Sequence, residues 1–254
     1  MNFLFLLPFS YFYATRLRNG SLAFHVLFEW VAAAVLVACL GAGGVLPGLA
    51  TAALAYLAFI SVYEIGYLWN DLVAARKEAG GRLRGPQGAG NGWLAAWIAV
   101  RLAAFVAMAL VLGRAGSMTW WAFFAGLGVV FSLHNHLQDK ELKAITFIWL
   151  AWYRFLAPVI FAVPMQYLPG IAFVAGFGYA GFRLFAYLDS KGLLAMPGRQ
   201  RMVFRWMYFA LPLLAMPVLA AAEAGRGAVI LSLYYATVAS LGYAASSIKG
   251  RLRA

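Results

Sequence analysis

Apolar and polar positions along this chain sort into long apolar runs separated by short polar breaks. Eight of the runs reach the roughly 20 residues an α-helix needs to cross the hydrocarbon core of a bilayer. They cover residues 22–42, 47–70, 93–113, 117–138, 143–163, 167–188, 203–222 and 227–247. Strands of a membrane barrel would instead alternate apolar and polar residues over about ten positions. The pattern therefore predicts an all-α, polytopic membrane helical bundle of about eight transmembrane helices, or nine, in a single transmembrane domain spanning 1–254. Residues 1–15 are apolar but too short to span, and they lack the basic start and small-residue cleavage site of a signal peptide. They are expected to form an interfacial segment leading into the first span. Glycine and proline in GAGGVLPG and VPMQYLPG mark tight turns between antiparallel helices.

Composition agrees with this pattern. The 254 residues are 65% hydrophobic and 11% charged, with a mean hydropathy of +0.81, which excludes a water-soluble globular chain. The net charge of +12 reports loop placement and does not point to a nucleic-acid partner. Of the 20 basic residues, 15 fall in breaks on one side of the predicted spans, Arg114 and Arg226 fall on the other, and Arg101, Arg154 and Arg183 lie inside spans. The positive-inside rule then places both termini in the cytoplasm of a multi-pass protein of the inner (plasma) membrane. The long inner loops, about 71–92 and 189–202, are expected to form the mouth of an active site. Cys39, the single cysteine, is expected to be a packing residue, with no disulfide.

One stretch, Tyr63 to Pro86, gathers most of the polar chemistry. Positions seven apart on a helix differ by about 20° in azimuth, so Glu64, Asp71 and Glu78 share a stripe that asks for a cation at a membrane edge. Asp189, at the end of the sixth span, supplies a second carboxylate at such an edge. Mg²⁺ takes a few carboxylates plus water and phosphate oxygens, and neighbouring arginines and lysines grip the same phosphates.

Asn70-Asp71, Glu78, Arg84 and Pro86, with Phe185-Ala186-Tyr187-Leu188-Asp189 in the sixth span, resemble the UbiA superfamily of intramembrane prenyltransferases. That family carries an NDxxDxxxD motif after its second helix and a DxxxD-type motif after its sixth. Here Ala74 and Leu193 stand where two of the family's carboxylates belong. The resemblance implies a UbiA-like fold and a transferase with Mg²⁺ as cofactor, acting in lipid metabolism on an isoprenoid lipid and a diphosphate donor. It implies Asp71 and Asp189 as catalytic residues, and Asp71, Glu78 and Asp189 as metal ligands. Asn70, Arg82, Arg84, Lys143, Arg183, Tyr187 and Lys191 would bind substrate. Two alternatives accompany this reading: phosphoribosyl transfer from phosphoribosyl diphosphate to a polyprenyl phosphate, and a non-catalytic lipid-binding or partner subunit with a degenerate metal site.

Ionisable residues inside spans are costly and face a cavity or each other. Glu64 either extends the metal site or pairs with Arg101 or Arg183. Arg183 shares a face with Tyr187, and both are expected to point towards Asp189. Arg154 is expected in a buried pair, and Glu29 has no assigned partner. His134 and His136 point about 200° apart on a helix, which disfavours zinc. The run 80–92 lacks the GK[ST] element of a P-loop and reads as a lid or a connector. The DGxxAR motif of CDP-alcohol phosphotransferases is absent, and no internal repeat suggests a transporter.

Overall fold

The computed structural model describes residues 3–18, 22–74, 76, 85, 86, 88–221 and 225–251, and these are mostly helical, with no strand among them. Each expected span overlaps one of eight long helices among the described residues. These are α1 (Leu22–Leu40), α2 (Val45–Ala74), α3 (Asn91–Val111), α4 (Met118–His136), α5 (Lys140–Leu156), α6 (Met165–Ser190), α7 (Met202–Ala220) and α8 (Gly225–Arg251). Six of them, all but α4 and α5, are long and apolar enough to cross a membrane. The chain is an all-helical, multi-pass membrane protein.

Local chemistry fixes where the helices stop. The carboxylate of Asp139 accepts from the backbone N–H groups of Glu141 and Leu142, each at 2.8 Å, and so caps the start of α5. The expected span 143–163 is helical only to Leu156, because Pro158 lacks an N–H and disfavours helical geometry in the residue before it. Pro212 has the same effect on α7, which narrows to a 3₁₀ stretch at Leu211–Ala215. Gly192, with φ of 71°, closes α6 in the left-handed conformation that a side chain disfavours. Cys39 is exposed on α1, not packed.

The chain divides into two compact units, Met1–Ala23 with Ala53–Thr146 and Phe24–Ala52 with Phe147–Ala254. In the first, the π-helical end of α2 packs on α4, and the N-terminal turn Phe3–Leu6 packs on α3. A Cβ at Gly66 would sit 2.4 Å from the Phe131 ring, so glycine allows that close approach. In the second, α8 packs against α6, α7 and the Ala32–Leu40 portion of α1.

Candidate functional site

Polar side chains inside these apolar units gather into two networks, one per unit. The first is built around α2. Its last turn, Asn70–Ala74, is π-helical and carries Asp71, which is fully buried. The N-terminal segment folds back onto this carboxylate. The Tyr11 hydroxyl donates to Oδ2 at 2.7 Å, the Arg16 guanidinium to Oδ1 at 2.7 Å, and the Asn70 amide to Oδ1 at 3.3 Å. Arg16 also lies 4.3 Å over the Tyr67 ring. Burial, and then the charge of Asp71, push the Tyr11 phenol well above its ordinary ionisation range.

Two turns earlier on the same stripe, Glu64 is fully buried and pairs with Arg101 at 2.8 Å. Its other oxygen accepts from the backbone N–H of Phe12 at 2.7 Å. Arg101 spends its remaining donors on the carbonyls of Phe5 (2.7 Å), Leu6 and Leu7 (2.9 Å), and its guanidinium lies 4.0 Å over the Trp97 ring. Tyr11, Leu68 and Trp97 form an apolar cluster between these charges, with Phe5 and Leu6 packed on it. Phe9 takes φ of 77° in the turn before Ser10. A bulky residue adopts that conformation at a cost of roughly 1–3 kcal/mol, and only where its surroundings over-determine it.

The second network surrounds Glu29, fully buried in a π-helical stretch of α1, Val26–Val31. Glu29 Oε2 is 2.7 Å from His25 Nδ1 and accepts the Tyr179 hydroxyl. Arg154 Nε stands 3.4 Å from Oε1. Tyr179 lies in the π-helical stretch Gly176–Gly181 of α6. Arg183 Nη1 stands 2.9 Å from His25 Nε2. A guanidinium has no acceptor, so Nε2 must accept, and His25 is a neutral ring carrying its proton on Nδ1. Four π-helical stretches occur among the described residues, and each carries a member of a network: Arg16, Glu29, Asp71 and Tyr179.

The residues expected from sequence divide accordingly. Asn70 donates to its neighbour Asp71, Glu64 takes Arg101 as its partner, and Arg154 is buried in a pair with Glu29. Asp189 is paired with Arg199 at 2.7 Å and accepts from the Met196 N–H at 3.4 Å. Arg183 does not turn towards it, because residues six apart on an α-helix differ by about 240° in azimuth. The Tyr187 ring stacks on Phe147 at 4.4 Å, and the Lys191 ammonium lies 5.8 Å over it. Lys143, expected in an open loop, is only 2% exposed, since α5 begins at Lys140 and places it a turn inside. His134 and His136 diverge, to Thr146 and the Ser132 carbonyl. Glu78, Arg82, Arg84 and most of the 80–92 run lie outside the described residues.

Tyr11, Arg16, His25 and Tyr179 were not legible as site residues. The partners of Tyr11, Arg16 and Tyr179 are 60, 55 and 150 positions away, whereas His25 stands four positions before Glu29, so the lone in-span Glu29 and that i,i+4 spacing were the available signal.

The described residues contain no group of three or more His, Cys, Asp or Glu side chains that could hold a metal ion. Both oxygens of Asp71 are engaged by the protein's own donors, as are both of Asp189. Glu78, the third expected ligand, lies outside the described residues. No protein-family model matches the chain, and neither a curated protein nor a solved structure does.

Proposed function

We propose that the protein is a UbiA-like intramembrane transferase acting on a donor that carries a diphosphate, preferentially a prenyl diphosphate, and on a lipid or aromatic acceptor. It would lie in the inner membrane with both termini and the ends of α2 and α6 in the cytoplasm. One observation carries the reading: each of the two aspartates at those helix ends is held 2.7 Å from an arginine, Arg16 for Asp71 and Arg199 for Asp189. Arginine presents a planar fork that fits phosphate as well as carboxylate, and a paired carboxylate fixes the direction of that fork. The Arg16 and Arg199 side chains are 15% and 17% exposed, so part of each remains open to a ligand. Bound diphosphate would leave with the electron pair of the donor C–O bond, and charge stabilisation by arginine would supply most of the catalysis. No step is assigned to magnesium.

A second reading draws on the closed state of Asp71. With Ala74 buried beside it and both carboxylate oxygens satisfied, the site also suits a non-catalytic lipid-binding or partner subunit.

The experiment is transfer by purified protein in lipid discs. Labelled geranylgeranyl diphosphate, and separately phosphoribosyl diphosphate with polyprenyl phosphate, are offered with and without Mg²⁺. Product formation that falls about 100-fold in Asp71→Asn and Asp189→Asn supports the transferase. Product that persists unchanged in both variants rejects this site, and no product from wild type with any donor favours the non-catalytic subunit.

A further inference from the structure

The network around Glu29 does not balance its charge. Arg154 and Arg183 are cationic, His25 is neutral by its hydrogen bonding, and Glu29 is the carboxylate they face among the described residues. Among the described residues no carboxylate lies within ion-pair distance of Arg183. An uncompensated cation inside a membrane-spanning helix is expensive, and an anion from outside the protein removes that cost.

The geometry of Arg183 shows which face is open. Nη1 is committed to His25 Nε2 at 2.9 Å. The guanidinium is flanked by the rings of Phe147 and Tyr179 at 5.7 and 5.8 Å, which restrict where it can go. Nε is buried and has no hydrogen-bond partner. In a guanidinium the Nε–H and one Nη2–H point the same way and form the fork that takes two oxygens of one anion. Arg183 therefore has one donor anchored on His25, while Nε, on the opposite edge, is buried without a hydrogen-bond partner. It lies seven residues before Ser190, the last residue of α6, or about 10 Å along the axis at 1.5 Å per residue. Measured from the helix end, that distance is well short of the roughly 15 Å half-thickness of a hydrocarbon core.

We propose that Arg183, anchored by His25 and flanked by Phe147 and Tyr179, is the binding site of a phosphate group, taken on the Nε/Nη2 edge. The phosphate belongs either to a lipid headgroup or to a small soluble phosphate. The resemblance already places Arg183 among residues that would bind substrate, but the site does not rest on the transferase reading, because neither Asp71 nor Asp189 contributes to it.

The test uses the full-length protein in discs of neutral phosphatidylcholine, without magnesium and without donor. In one arm inorganic phosphate is titrated and followed by ³¹P line broadening. In the other, the discs are doped with phosphatidic acid and retained lipid is counted by native mass spectrometry. Binding in the first arm identifies a soluble phosphate; binding confined to the second identifies a headgroup. In either case Arg183→Gln is expected to weaken binding about tenfold or more, and Arg183→Lys, which keeps the charge but loses the fork, by a smaller factor. The proposal is overturned if wild type binds neither probe, or if Arg183→Gln binds as wild type does. Where Arg183→Gln fails to reconstitute, Arg183→Lys decides, and affinity equal to wild type overturns the site. Loss of transfer in Asp71→Asn leaves this result untouched, so the two readings fail separately.

Discussion

The first unit sets two buried carboxylates, Glu64 and Asp71, against two arginines, Arg101 and Arg16. The second sets one buried carboxylate, Glu29, against Arg154 and Arg183, with His25 neutral between them. Both networks are enclosed by aromatic rings and both recruit a tyrosine hydroxyl to a carboxylate. They differ in closure. In the first, each carboxylate oxygen and most of the arginine donors find partners within the chain, many of them on the N-terminal segment, and the result is a clasp. In the second, one guanidinium edge is left over. A balanced buried network ties segments together, whereas an unbalanced one has capacity for a ligand.

The strongest way to break this comparison is to remove the acids. Glu29→Ala leaves two arginines without a carboxylate and is expected to cost about 5 kcal/mol, the upper end for a broken buried pair, measured by unfolding in mixed micelles. Glu64→Ala should fall near the lower end, about 3 kcal/mol, because Arg101 keeps the carbonyls of Phe5, Leu6 and Leu7. If Glu64→Ala proves the more damaging, the contrast in balance is wrong. Replacing both partners as Glu64→Leu with Arg101→Met should recover much of the loss, since well-packed apolar residues often equal a buried ion pair. The same double variant should still expose residues 3–18 to limited proteolysis, because the N-terminal segment loses its acceptor and its donors together.

Smaller changes sharpen the picture. Tyr11→Phe removes one hydrogen bond to a charged carboxylate and should cost about 1.5–3 kcal/mol. The phenol's ionisation is raised on folding by burial and by Asp71. Its contribution is therefore complete below the unfolded value of about 10 and is lost as pH rises beyond it. Proteolysis of the N-terminal segment should accordingly be flat between about pH 6 and 9 and accelerate only above about pH 10. Asp189→Asn, at a partly exposed ion pair with Arg199, should have the smallest effect on stability.

Six of the expected spans were legible because their signal is local: uninterrupted apolar length, broken by glycine, proline and charge. The pairing of Glu64 with Arg101 could be anticipated as well, since a lone acid and a lone base inside spans have few choices. Asp71 was recognisable as special from its place at the end of an apolar run, but its partners were not. Tyr11 and Arg16 belong to a short aromatic segment without periodicity, and nothing in that segment announces that it folds onto α2. Arg183 stands out in the sequence as a basic residue within a span, but its direction does not: Tyr187, four positions on, shares its face, whereas Asp189, six positions on, lies about 240° away.

The π-helical stretches have one more consequence. A turn closed from residue i to i+5 holds one residue more than an α turn, so each of the four stretches stores a surplus position beside a buried polar group. Deleting a residue outside such a stretch rotates everything downstream by about 100° and would carry the polar side chains off their partners. Deleting one non-network residue from within Asn70–Ala74, such as Leu72, would let the turn revert to ordinary α-helix and keep the downstream register. The turns that hold Arg16, Glu29, Asp71 and Tyr179 are thus the places where these helices are most tolerant of losing length, next to the residues least tolerant of being moved.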